Sequence, residues 1–176
     1  RVLVGGALAN TLLAARGFQV GKSTRDDGNV QKFRRLALHP KIMLPHDVIV
    51  ARSLTGRGRT RLKAVADIGR DEMIGDVGPK SVREFALAVE QAGTAVWNGP
   101  LGYSEIPAFA GSIPAVAQGF RRCRGFTVVG GGDTLAALEK AKSLGAFSHV
   151  STGGGAMLAY LAGKKLPGIE VLKEGV

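Results

Sequence analysis

Cysteine is almost missing from this chain: Cys123 is the only one. With no internal disulfide available, the fold is held by packing alone, and a reducing, cytoplasmic setting is expected. Aromatic side chains are scarce too, with one tryptophan and two tyrosines, which leaves little for stacking on nucleic-acid bases. No apolar run reaches membrane-span length and no signal-peptide pattern is present, so no membrane partner is expected. An opening methionine is lacking as well. Arg1-Val2-Leu3-Val4 reads as the middle of a strand, which raises the expectation of an N-terminal truncation. Acidic residues are outnumbered by basic ones, 14 to 24, giving a net charge of +10. Apart from 52–63 and 121–124, the basic residues are spread along the chain, and no nucleic-acid motif accompanies them. We therefore expect no nucleic-acid partner, and a field that draws in anionic metabolites.

What is present is aliphatic and rich in glycine. With 176 residues and 45% hydrophobic content, one domain with a real core is expected. Short β-branched runs alternate with helical patterns, which argues for βαβ units and a parallel sheet. Strands are expected over 1–4, 41–44, 48–51, 94–97, 126–129 and 147–150, and helices over 8–16, 26–38, 82–91, 108–121, 134–144 and 156–161. The basic segment 52–61 reads as an exposed loop or short hairpin.

Two glycine-rich corners stand between a strand and a helix: Gly130-Gly131-Gly132-Asp133-Thr134 and Ser151-Thr152-Gly153-Gly154-Gly155-Ala156. Glycine lets backbone N–H groups approach a ligand closely. The helix that follows adds free N–H donors and a partial positive charge, a combination that binds phosphate. Asp133 reads equally as an N-cap or as a Mg²⁺ ligand beside a polyphosphate, and Thr134 has a hydroxyl to offer the same phosphates. A third constellation, Trp97-Asn98-Gly99-Pro100-Leu101-Gly102-Tyr103-Ser104-Glu105, places Asn98 and Glu105 at the C-terminal edge of the sheet, where a ribose could be recognised. Gly21-Lys22-Ser23 is no phosphate loop, because Arg16 stands where that motif needs glycine. The dinucleotide fingerprint fails at Leu135. His149 reads as a satisfied core residue, and His39 and His46 have no acid or nucleophile at informative spacing.

In this order the segments resemble the C-terminal, nucleotide-binding domain of the phosphoglycerate kinase family. Val4-Gly5-Gly6-Ala7-Leu8-Ala9-Asn10-Thr11, Lys41-Ile42-Met43-Leu44-Pro45, Asp76-Val77-Gly78-Pro79, Trp97-Asn98-Gly99-Pro100, the two glycine corners and Gly163-Lys164-Lys165-Leu166-Pro167-Gly168 carry the likeness, which covers essentially the whole chain. The resemblance implies an α/β, Rossmann-like three-layer domain over 1–176 with a mostly parallel sheet, lacking its first elements. It also implies that Gly131, Gly132, Asp133 and Thr134 contact the phosphates of ADP or ATP, with Asp133 at the Mg²⁺. Asn98 and Glu105 are implied at the ribose, and Gly5, Gly6, Pro100 and Leu101 at the adenine slot. Gly153, Gly154 and Gly155 are implied to open the helix facing the transferring group. The implied reaction converts 1,3-bisphosphoglycerate and ADP to 3-phosphoglycerate and ATP, in a monomer. Ala7, Ile74-Gly75 and Tyr103-Ser104 depart from the family pattern. Neither the N-terminal, phosphoglycerate-binding domain nor the two-lysine loop of the family is found in this sequence, so no turnover is expected of it alone. The alternative is a non-catalytic module that binds nucleotide or protein.

Overall fold

The structure is a computed structural model and describes residues 1–174; Gly175 and Val176, the end of the segment 166–176 expected to face a second domain, lie outside the described residues. In chain order the elements are β1 (Val2–Leu3), α1 (Gly6–Ala15), α2 (Arg34–Ala37), β2 (Ile42–Met43), β3 (Asp47–Ala51), β4 (Arg61–Ala64), β5 (Met73–Val77), α3 (Pro79–Glu90), β6 (Thr94–Asn98), α4 (Ser112–Arg122), β7 (Phe126–Gly130), α5 (Gly132–Lys140), β8 (His149–Ser151), α6 (Gly154–Leu161) and α7 (Pro167–Glu174). The α/β class and the parallel pairing are as expected. β1 pairs with β2, and β6, β7 and β8 form a three-stranded parallel sheet.

Two strands were not expected. β4 and β5 flank β3 in antiparallel pairs, so 52–60 is the connection of a hairpin. β5 reads poorly as a strand because it contains Gly75 and Asp76, residue types depleted in sheets. Both have tertiary reasons. The ring of Phe109 lies where a Cβ on Gly75 would be. Asp76, 2% exposed, accepts the Ser112 N–H at 2.9 Å and so holds the start of α4.

The helix expected over 26–38 shrinks to Arg34–Ala37. Asn29 donates its side-chain amide to Asp26 at 2.6 Å, and the Asn29 N–H bonds the Asp26 carbonyl. Such local bonds offer the backbone an alternative to helix. His149 lies exposed on β8, which corrects its reading as a core residue. α7 went unrecognised, although Pro167 at its start is a helix-opening signal.

Capping fixes α3. Pro79 occupies its first turn, and the Asp47 carboxylate accepts the N–H groups of Lys80 at 3.0 Å and Ser81 at 2.8 Å. Burial alone would raise the Asp47 pKa, but the hydrogen bonds from the Ser81 hydroxyl and these N–H groups outweigh it and hold it below the usual range. One core cluster unites α3, α4, β6 and β7 through Phe85, Trp97, Ile113, Phe120 and Val129. A second joins α1 to β3 and β5 through Leu12, Leu13, Val48, Val50 and Ile74. Among the described residues no helix is long and apolar enough to cross a membrane.

Candidate functional site

The parallel strands β6, β7 and β8 end on one edge of their sheet, the edge where open α/β sheets hold ligands. Pairing of Val129 with Val150 and of Gly130 with Ser151 sets the two glycine corners side by side. The approach is close enough to demand glycine: a Cβ on Gly154 would stand 2.5 Å from the Gly131 Cα. Gly131 takes φ +96°, open to glycine and strained for other residues, and turns the chain directly into α5. The first helical bonds are Leu135 N–H to Gly131 O and Met157 N–H to Gly153 O. The N–H groups of Gly132, Asp133 and Thr134, and of Gly154, Gly155 and Ala156, stand ahead of them. Gly132, Gly153 and Gly155 are exposed, and a Cβ on Gly132 or Gly155 would meet nothing within 4 Å. The result is two helix N-termini, adjacent and open to an anion.

The loop after β6 is fastened to both corners. Asn98 donates its amide to the Gly154 carbonyl at 3.4 Å. Thr134, 1% exposed, accepts the Gly99 N–H at 2.7 Å through its hydroxyl. Both residues therefore join chain segments, a use that the sequence alone did not reveal.

Asp133 lies exposed in the first turn of α5 and lines a large cleft beside the corners. The residue at the N-cap is Gly131, and no side chain caps the helix. The N-cap alternative for Asp133 is thereby set aside. Among the described residues no three His, Cys, Asp or Glu side chains gather as a metal cage. A lone carboxylate beside open helix N-termini nevertheless suits Mg²⁺, which is commonly held by one or two carboxylates plus phosphate oxygens.

Glu105 is exposed on the cleft wall, and its backbone carbonyl accepts Lys140 Nζ at 3.4 Å. Asp133 and Lys140, both cleft residues, are two turns apart on one face of α5. Lys140 escaped the sequence reading, although its spacing from Asp133 was the available signal. On the opposite wall, the Gly6 N–H donates to the Leu101 carbonyl at 2.8 Å. A Cβ on Gly5 would stand 2.7 Å from Leu101 Cδ2, and one on Gly6 would stand 3.2 Å from the Pro100 carbonyl. The four residues Gly5, Gly6, Pro100 and Leu101 are thus in one place. Leu101 itself is 8% exposed, so backbone forms much of that wall. Below it, Gly102 packs against Asp76, whose burial raises its pKa beyond what the hydrogen bonds from Ser112 and Val77 take back.

Comparison with known proteins gives one consistent result. The profile of the phosphoglycerate kinase family matches residues 1–164. The solved phosphoglycerate kinase from Coxiella burnetii is similar at TM-score 0.89 and 42% identity, over 97% of this chain and 45% of that one. For the phosphoglycerate kinase from Pyrococcus horikoshii OT3 the values are 0.83 and 29%, over 98% and 44%. The chain spans less than half the length of either.

Proposed function

Because the chain belongs to the phosphoglycerate kinase family, we propose that it supplies the nucleotide half of a glycolytic phosphoryl transfer, between 1,3-bisphosphoglycerate and ADP, yielding 3-phosphoglycerate and ATP. The observation that carries this reading is the contact between the glycine corners, which sets the N-termini of α5 and α6 against each other at one sheet edge. A polyphosphate spanning both ends would meet N–H donors along its length.

In this reading Gly131, Gly132 and Thr134 frame the nucleotide phosphates, and Gly153, Gly154 and Gly155 present donors to the group in transit. Phosphoryl transfer is catalysed mainly by positioning and by stabilising spread negative charge, and fixed backbone donors do both without reorganising. Asp133 would hold Mg²⁺, which when bound neutralises charge between the phosphates. Glu105 and Asn98 serve the ribose side, Asn98 by keeping its loop locked to Gly154. Gly5, Gly6, Pro100 and Leu101 leave room for a flat base against backbone. The domain would act in the cytoplasm as a nucleotide-binding, C-terminal part of a monomeric kinase, with the acyl phosphate delivered by a second, phosphoglycerate-binding domain.

Calorimetry with ADP, with and without Mg²⁺, tests the assignment of Asp133. The unaltered chain should bind the magnesium complex more tightly. Asp133→Asn should lose that advantage, about tenfold in affinity or 1.4 kcal/mol, and leave metal-free ADP binding nearly as before. Equal affinities for both proteins in both conditions would sink the assignment.

A further inference from the structure

The basic segment 52–61 lines none of the cleft, and the fold gives it a setting of its own. Over 48–66 the chain carries Arg52, Arg57, Arg59, Arg61 and Lys63 and no acidic residue. This stretch holds the hairpin of β3 and β4, and β4 ends its sheet, with β3 on one side and no strand on the other. The hairpin tip rests on the loop after β6: a Cβ on Gly56 would stand 2.8 Å from Ile106 Cγ2.

Backbone pairing fixes which groups on β4 are free. The Val65 N–H bonds the His46 carbonyl, and Ala64 stands opposite Asp47. Antiparallel partners alternate between bonded and non-bonded pairs, so Arg61 and Lys63 turn their backbone groups toward β3. Leu62 and Ala64 turn theirs outward, and among the described residues no backbone group bonds them. Side chains alternate as well. Arg61 and Lys63 share one face, where both bond the buried Glu72 carboxylate at 2.7 and 2.9 Å. One carboxylate serves two cations, so positive charge is left over. Arg52, Arg57 and Arg59 are exposed and enter no ion pair among the described residues. Leu62, 57% exposed, belongs to the other face.

These features select an occupant. A bare strand edge is a template for another extended chain, because its N–H and C=O groups lack partners. A second copy fits poorly: β4 against β4 would set Arg61 and Lys63 beside like charges. A polyphosphate or a lipid headgroup would meet the arginines and leave the edge groups of Leu62 and Ala64 unused. An extended acidic peptide meets both.

We propose that the outer edge of β4 is a docking site for an acidic, extended segment of a partner protein, which adds to the sheet as a further strand. Its backbone bonds Leu62 and Ala64, and an apolar residue of the segment covers the Leu62 side chain. Its carboxylates face Arg57, Arg59 and the surplus charge of Arg61 and Lys63. The proposal does not rest on nucleotide binding.

The probe is the peptide Glu-Val-Glu-Thr-Glu-Val-Glu, blocked at both ends and titrated into the unaltered chain. It should slow amide hydrogen exchange at Leu62 and Ala64 at least about tenfold, and leave Gly132 and Gly155 unchanged. The same peptide N-methylated at alternate residues keeps its charge, loses edge bonds and should bind about tenfold more weakly. Leu62→Pro removes an outward N–H without touching the β3 ladder. Arg57→Glu combined with Arg59→Glu reverses the charge of the tip. Each variant should keep its Tm within a few degrees of the parent and weaken peptide binding about tenfold. Equal affinity for the plain and N-methylated peptides, or unaltered exchange at Leu62 and Ala64, overturns the proposal. So does a DNA duplex that binds more tightly than the peptide through Arg57 and Arg59. Protection of the same two amides in the chain alone as its concentration rises also overturns it, because a second copy would then occupy the edge.

Discussion

At the scale of single residues, the carboxylates divide by what surrounds them. Glu105 and Asp133 are exposed at the cleft, whereas Asp47 and Asp76 are buried at helix starts. Glu105→Gln should weaken ADP and other ribonucleoside diphosphates alike, about tenfold, and spare pyrophosphate. Loss of pyrophosphate binding with adenosine binding intact would remove Glu105 from the ribose. The buried pair make a prediction about acid. Asp47 is depressed below the ordinary 3.8, so its stabilisation is complete above that value and disappears as pH falls through its lower folded value. Asp76 is raised, so the folded state holds the proton longer, and stability drains away as pH rises from 3.8 through its higher folded value. Urea unfolding from about pH 3 to about pH 7 should therefore show opposite trends relative to the parent. Asp47→Asn closes its deficit toward acid, and Asp76→Asn gains toward neutrality. Parallel trends would mean the two environments have been misread. None of this was legible in the sequence. Asp76 sits in a family-like motif, but its burden is Ser112, 36 positions away.

At the scale of elements, the glycine corners predict a contrast between neighbours. Gly154→Ala drives a Cβ into the backbone of Gly131, so α5 and α6 must part. Gly155→Ala meets open space and gains helix propensity, about 0.5–1 kcal/mol. Thermal unfolding should show a lower Tm for the first and a higher one for the second, and the reverse order would contradict the packing described. These corners were legible because their chemistry is local: β-branched residues, then glycine, then helix formers. Asn98 was read as a ligand contact from its turn alone, and its bond to Gly154 belongs to tertiary structure. β4 was illegible for another reason. Arg61-Leu62-Lys63-Ala64 is an edge with three exposed residues, fastened through Arg61 and Lys63 to Glu72 at 2.7 and 2.9 Å. Burial raises the pKa of Glu72, yet those cations and the Gly69 N–H more than reverse it. No pattern of alternation announces a strand held by charge.

At the scale of the whole molecule, the proposed function gives the chain one side of a two-substrate reaction. The chain spans 45% and 44% of the kinases it matches, and among the residues that line the cleft the basic ones are Arg1 and Lys140. Alignment of both substrates and exclusion of water supply much of the rate in such transfers. A coupled assay on the purified 176-residue chain should therefore detect no turnover. A rate within about tenfold of the usual 1–10³ s⁻¹ would refute this. Trp97 makes the molecule unusually easy to follow through such experiments. It is the only tryptophan in the chain, 6% exposed, stacked on Phe120 at 5.3 Å and donating its indole N–H to the Gly99 carbonyl at 2.8 Å. The adjoining Gly99 N–H is the one latched to Thr134. All indole fluorescence from the protein thus originates at a single point, between the aromatic core and the loop that binds the corners together. Emission colour and quenching become an unlabelled optical gauge of that loop, readable in the same cuvette as the assay.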